Sequence, residues 1–198
     1  ALQNHLAIGY KLIVARLTPH EKFDPLPVYI ALDQAQRTLP KGQKLHLILY
    51  GRYPDDYSKK VFEQGAAGLM PDVGFHVLPH EGPAARLAAL SASDMFLFPI
   101  DNLQESFGIA PVEAMAAGLP VIASDWDGIK DTVDGDGGIR IPTLGARPEH
   151  GVLSAQRHFG GTDNYIQYLS QNSAITRIDV AAMAQAIAAL ATDPDRRK

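Results

Sequence analysis

Two carboxylates, Glu105 and Glu113, bracket the segment ESFGIAPVE, and their spacing with what lies between them is the strongest chemical pattern in the chain. Gly108 predicts a bend, and the Ala-rich run after it predicts a helix starting near Ile109. The first backbone N–H groups of such a helix have no intrahelical partner, and the helix dipole gives them a partial positive charge that favours anions such as phosphate. Gly108 lets the atoms of another molecule approach the backbone, and Pro111 fits the first turn, where its missing N–H is not needed. A capping box requires Ser or Thr three residues before the glutamate, but Ala110 stands there before Glu113, so the carboxylates are not explained as caps. A solvated glutamate that complements the helix dipole remains the simpler account of either residue taken alone. After the helix, Gly118-Leu119 leads into an apolar strand, Pro120–Ser124.

The elements needed to hold this unit follow from hydrophobic runs punctuated by Gly and Pro. Continuous apolar strands are expected at Leu12–Ala15, Leu45–Tyr50, Phe75–Leu78, Met95–Phe98, Pro120–Ser124 and Gly138–Pro142, as in a parallel sheet covered on both faces. Helices are expected at Pro25–Thr38, with Leu26, Ile30 and Ala31 on its inner face, and at Asp55–Gly65, stopped by Gly65 and Gly68. Further helices are expected at Ala84–Ala92, after Gly128 as far as Val133, at Asp163–Leu169 and at Asp179–Leu190. Thr143–Gly161 has no clear period and reads as a loop. This alternation predicts an α/β, Rossmann-like doubly wound parallel sheet of about six strands. In such sheets ligands bind outside the carboxyl ends of the strands, and Arg16 and Lys22 lie in the segment just past the first strand. As isolated residues they are simply surface cations.

Other clusters carry less. His76 and His80 have the spacing of a helical metal pair, but they flank a strand end with no third ligand nearby, so they read as structural or solvated, as does His46. The clusters Asp125-Trp126-Asp127-Gly128 and Asp134–Gly138 lack the regular ligand spacing of a calcium loop and read as turns. With 198 residues, 46% of them apolar and 20% charged, the chain is an ordinary globular length for one domain. A formal charge of −4 argues against nucleic acid as a partner. The absence of cysteine removes disulfides, thiolate nucleophiles and cysteine metal sites. No run is long enough for a transmembrane segment and no secretory leader opens the chain, so the expected location is cytoplasmic.

The string ESFGIAPVEAMAAGLPVIAS, with its Glu105-x7-Glu113, F-G, E-A-M and G-x-P-V pieces in order, resembles the donor-site motif of the retaining glycosyltransferases of family 4, which have the two-domain GT-B fold. RLTPHEK at 16–22 is similar to the family's Arg-Leu…Lys segment, though Phe23 replaces the usual Gly and Ile100 stands where Ser often follows Pro99. The resemblance runs from Leu12 to Asp195 and covers the carboxyl-terminal half of a family enzyme, which implies a donor-binding domain (residues 1–198) excised from a longer protein. It implies that Arg16 and Lys22 hold the donor diphosphate, with the backbone at Phe107, Gly108 and Ile109. It further implies that Glu105 is the catalytic-site carboxylate, on the sugar's hydroxyls, and that Glu113 accepts from the ribose. The ligand implied is a nucleotide-diphosphate sugar, used without a metal or other cofactor, and the missing N-terminal domain carries the acceptor site. The implied reaction is retaining hexosyl transfer to an acceptor hydroxyl, with the fragment inactive alone. Two other classes stay open: another GT-B enzyme such as a nucleotide-sugar epimerase or a glycosyl phosphorylase, the latter disfavoured by the lack of a recognisable pyridoxal phosphate lysine motif, or a non-catalytic nucleotide-binding module.

Overall fold

The computed structural model describes residues 10–15, 24–53, 55–79, 81–103 and 105–195. Six strands, β1 (Tyr10–Ala15), β2 (Leu45–Gly51), β3 (Gly74–Pro79), β4 (Met95–Phe98), β5 (Val121–Ser124) and β6 (Gly138–Ile141), form one all-parallel sheet in the order β3-β2-β1-β4-β5-β6. Every residue of β4 and of β5 is buried, as expected of strands covered on both faces. The alternation of side chains along β2 divides the interior. Leu45, Leu47 and Leu49 enter one core, and Ile48 and Tyr50 enter the other.

Eight helices accompany the sheet among the described residues: α1 (Pro25–Thr38), α2 (Asp56–Leu69), α3 (Pro83–Ser91), α4 (Ile109–Ala116), α5 (Ile129–Thr132), α6 (Pro148–Phe159), α7 (Tyr165–Ala174) and α8 (Val180–Thr192). Helices α1, α2 and α8 cover the leucine face of β2, while α3, α4 and α5 cover the other. The result is the three-layer, doubly wound arrangement expected of alternating strands and helices.

The helix boundaries have local causes. Asp24 caps α1 by accepting from the Leu26 N–H at 2.9 Å, with Pro25 in the first turn, and Asp55 caps α2 through the Ser58 N–H at 2.7 Å. The inner face of α1 differs from the expected one. Val28, Tyr29, Ala31, Leu32 and Ala35 are buried, whereas Leu26 and Ile30 are exposed. Tyr29 can go inside because its hydroxyl donates to the Phe62 carbonyl at 3.1 Å, which satisfies its polar end. Helix α2 also runs through the glycines expected to stop it. A side chain at Gly65 would press on the Tyr29 ring at 3.3 Å, so this glycine marks a close helix–helix approach and not a terminus.

The segment expected to be a loop is an ordered excursion. After β6 the chain forms β7 (Thr143–Leu144), which pairs antiparallel with β8 (Arg177–Ile178), and α6 and α7 lie between them. Within these two helices only Ser154 and Leu169 are buried, while Val152, Leu153 and Phe159 are exposed, so no inward stripe advertised α6 in the sequence. Polar contacts fix the turn instead. The Arg157 guanidinium donates to both oxygens of Asp163 at 2.6 and 2.7 Å, and Gln171 adds a bond at 2.8 Å. Arg157 and Gln171 together hold the Asp163 carboxyl down to about 2. A capping box between Asn164 and Gln167 starts α7.

On the edge of the sheet His46 and His76 stack, with Nδ1 of the first 3.1 Å from Nε2 of the second. Burial and the nearby Lys44 lower the pKa of His76, which favours its neutral form. His80 lies outside the described residues.

Candidate functional site

The strand order reverses between β1 and β4, so the crevice of this sheet opens beyond the carboxyl ends of those two strands. Val14 pairs with Leu97, which sets the ends of β1 and β4 side by side. The chain therefore leaves β1 at the same edge of the sheet from which it leaves β4 for the glutamate segment. Arg16 and Lys22 themselves lie outside the described residues.

Past β4 the path is fixed by backbone bonds. The Ile100 N–H donates to the Phe98 carbonyl at 3.0 Å, and the Glu105 N–H donates to the carbonyl of fully buried Asn102 at 3.2 Å. Gly108 then takes the left-handed conformation, φ 77°, that turns the chain into α4. The Glu105 carboxylate accepts the Gly108 N–H at 3.2 Å. The Gly108 N–H is thus already engaged within the bend, and it serves an anion only when the carboxylate gives it up. Phe107 and Ile109 are exposed on the same turn, and the first N–H groups of α4 receive no side-chain cap among the described residues.

The bend is held from behind by the segment after β5. A side chain on Gly128 would run into the Ser106 carbonyl, and one on Gly108 would meet Ile129. Trp126 adds a hydrogen bond from its indole N–H to the Asn102 carbonyl at 3.2 Å. The cluster read from sequence as a simple turn is thus the buttress of the bend. Neither Gly128 nor Trp126 stands at a telling distance from the glutamates in the sequence, so only the fold brings them together.

Glu113, one turn into α4, pairs across to α3, where Nη1 of Arg86 lies 2.8 Å from its Oε1. The two charges rim a small cleft lined by Tyr50, Ala89, Leu90, Phe96 and Ala110. Tyr50 closes one side, donating its hydroxyl to the Gly82 carbonyl at 3.0 Å. An apolar slot with a few charged groups at its lip is the general form of a small-molecule site. Arg86 and Tyr50 were not identified from sequence, because they come from segments distant from the motif. A further missed group is Asp101, just past β4. Burial pushes its carboxyl up to about 6, Asp24 adds to the rise, and a hydrogen bond from Ser173 opposes it. Ser173 also brings the end of α7 against this loop, its hydroxyl lying 3.5 Å from the Asp101 carbonyl.

Residues 12–149 match the model of a family described as glycosyl transferases group 1. A phosphatidyl-myo-inositol mannosyltransferase of Mycobacterium leprae (strain TN) is 33% identical over 115 residues, which is 57% of this chain and 29% of that protein. The fold is shared with WaaG, a glycosyltransferase involved in lipopolysaccharide biosynthesis, at 17% identity and a TM-score of 0.59, over 98% of this chain and 41% of that one. It is shared also with Anabaena HepE, solved in complex with UDP-glucose, at 20% identity and a TM-score of 0.52, over 94% of this chain and 50% of the other. The chain thus spans half or less of the length of each of these proteins. Among the described residues no helix is long and apolar enough to cross a membrane.

Proposed function

Because the chain belongs to the glycosyl transferases group 1 family and has the architecture of one half of a GT-B fold, we propose that it is the donor-binding domain of a retaining, family 4 glycosyltransferase. The observation that carries this reading is the meeting of the Glu105–Ile109 bend, the start of α4 and the Glu113 cleft at the carboxyl edge of the sheet by its switch point. A nucleotide-diphosphate sugar is the ligand class that uses all three. The N–H groups opening α4 suit a diphosphate, the cleft suits a nucleoside, and the carboxylates suit hydroxyl pairs on the two sugars.

In this reading Glu105 receives the hydroxyls of the transferred hexose and Glu113 those of the ribose. Arg16 and Lys22 neutralise the diphosphate. The bond from the anomeric carbon to the diphosphate oxygen breaks, and the nucleoside diphosphate departs with the electron pair. A bond to the acceptor oxygen forms on the same face, and the acceptor hydroxyl passes its proton to the departing diphosphate oxygen. Cations and N–H donors assist by stabilising charge that grows on the leaving diphosphate. The acceptor site and the second wall of the crevice belong to a further domain. The name of the mycobacterial relative makes mannose the first hexose to try, and the HepE complex makes UDP-glucose a natural comparison.

Titration calorimetry of the 198-residue chain with UDP, GDP, ADP and their hexose conjugates tests the reading. Saturable binding of one nucleoside diphosphate, far tighter than that of inorganic pyrophosphate, is expected. Binding of pyrophosphate as tight as that of every nucleotide, or no binding at all, refutes it.

A further inference from the structure

Glu113 belongs to α4 and Arg86 to α3, so their 2.8 Å contact joins two helices across the mouth of one cleft. Both side chains are partly exposed, with 46% of Arg86 and 34% of Glu113 accessible. An ion pair of this kind contributes little to stability. What it does well is geometric. A glutamate side chain on a helix surface samples many rotamers, and a guanidinium bound to one oxygen reduces that choice while leaving the carboxylate's remaining lone pairs for other donors.

We infer that Arg86 is a positioning residue for Glu113. It holds one carboxylate oxygen at the lip of the cleft so that the other acceptor sites meet the 2′ and 3′ hydroxyls of a nucleoside seated beside that lip. Arg86 thereby sets how strongly the site prefers a ribonucleotide to a deoxyribonucleotide. Pre-organisation of an acceptor removes an ordering cost at the moment of binding, and the gain falls on the ligand that supplies the matching donors. The inference rests on the reading that Glu113 faces the ribose, and the experiment separates the two.

The readout is the ratio of affinities for a nucleoside 5′-diphosphate and its 2′-deoxy counterpart, measured by calorimetry with UDP and GDP on wild type, Glu113→Gln, Arg86→Leu, Arg86→Lys and the double variant. Wild type is expected to favour the ribonucleotide by about 10- to 100-fold, the worth of a hydrogen bond to a charged group. Glu113→Gln should remove most of that preference. Arg86→Leu should lower it by about two- to five-fold, in keeping with a partly exposed ion pair, and Arg86→Lys should restore part of it. Adding Arg86→Leu to Glu113→Gln should lower it no further. A mere staple between α3 and α4 would lower the melting temperature and weaken both ligands alike, leaving the ratio intact; that result in Arg86→Leu overturns the inference while the ribose reading stands. A ratio untouched by Glu113→Gln, or a wild type that binds neither nucleotide, overturns the ribose reading and the inference with it.

Discussion

Replacing Gly128 with alanine adds one methyl group where the chain has no room for it. Gly128 has φ −67° and ψ −10°, values any residue adopts, so the substitution brings no backbone strain of its own. The new Cβ would instead collide with the carbonyl of Ser106, a backbone atom that cannot rotate away. Either α5 or the 105–108 bend must shift, and forced shifts of this kind cost about 1–3 kcal/mol. For a chain of this size that corresponds to a fall in melting temperature of roughly 2–12 °C. The N–H groups at the start of α4 move with the bend, so affinity for a nucleoside diphosphate should weaken by about 1.5–3 kcal/mol, the worth of one hydrogen bond to a charged group. Gly68 provides the control. It lies in α2, and among the described residues a Cβ there would meet nothing within 4 Å. The same glycine-to-alanine change should therefore stabilise by about 0.4–1 kcal/mol, through the unfolded chain, and leave binding alone. Thermal melts and nucleotide titrations of Gly128→Ala and Gly68→Ala give the comparison. Equal melting temperatures and equal affinities for Gly128→Ala and wild type would refute the close approach of Ser106 to residue 128.

Other expectations concern the titratable groups and the chain as a whole. Glu113→Gln should weaken binding of both the bare nucleoside diphosphate and its sugar conjugate, whereas Glu105→Gln should spare the bare nucleotide; equal losses for both variants with both ligands count against the assignment. Asp101 has a folded pKa of about 6 against a usual 3.8, so the folded state holds the proton more tightly than the unfolded one. Stability from this group is then full below about pH 4 and is lost as pH rises through 6, by about 1–3 kcal/mol. Asp101→Asn should gain on wild type by that amount between pH 4 and pH 7 in urea melts, and an advantage that does not grow with pH contradicts the burial argument. The 198-residue chain alone should bind donor weakly and transfer nothing, because the lost acceptor positioning is worth about 7–11 kcal/mol of barrier. Robust transfer to any hydroxyl acceptor in a product assay would show a complete active site in this chain.

Much of the fold was legible because its signals are local. The run Met95–Phe98, entirely apolar and ended by Pro99, can be little else than a buried strand, and α1 has its cap, its proline and its breaker in sequence at Asp24, Pro25 and Pro40-Lys41-Gly42. The failures occurred where tertiary contacts override local preference. The inner face of α1 was misjudged because Tyr29 finds a hydrogen-bond acceptor 33 residues away, which no periodicity count can anticipate. Helix α6 escaped notice because it is stabilised by ends and a turn, through Arg157 and Asp163, and not by an inward stripe. In the site, the glutamates and the bend were visible as one contiguous string, while Arg86, Asp101 and Gly128 acquire meaning only once α3, β4 and α5 are brought around it.

The excursion between β6 and α8 leaves and returns at one point. The Asp179 N–H donates to the Pro142 carbonyl at 2.9 Å, and β7 and β8 continue that clasp outward. In topological terms residues 143–178 form a closed handle on the sheet. The entropy of closing such a handle is met at the clasp and grows only slowly with the number of residues beyond it. The handle can thus lengthen, shorten or change sequence in divergence without disturbing the register of any of the six strands. Because the end of α7 rests on the Asp101 loop, each such change remodels one rim of the crevice. The sheet and the glutamate bend keep their geometry through such changes, while the surroundings of the bend are reshaped.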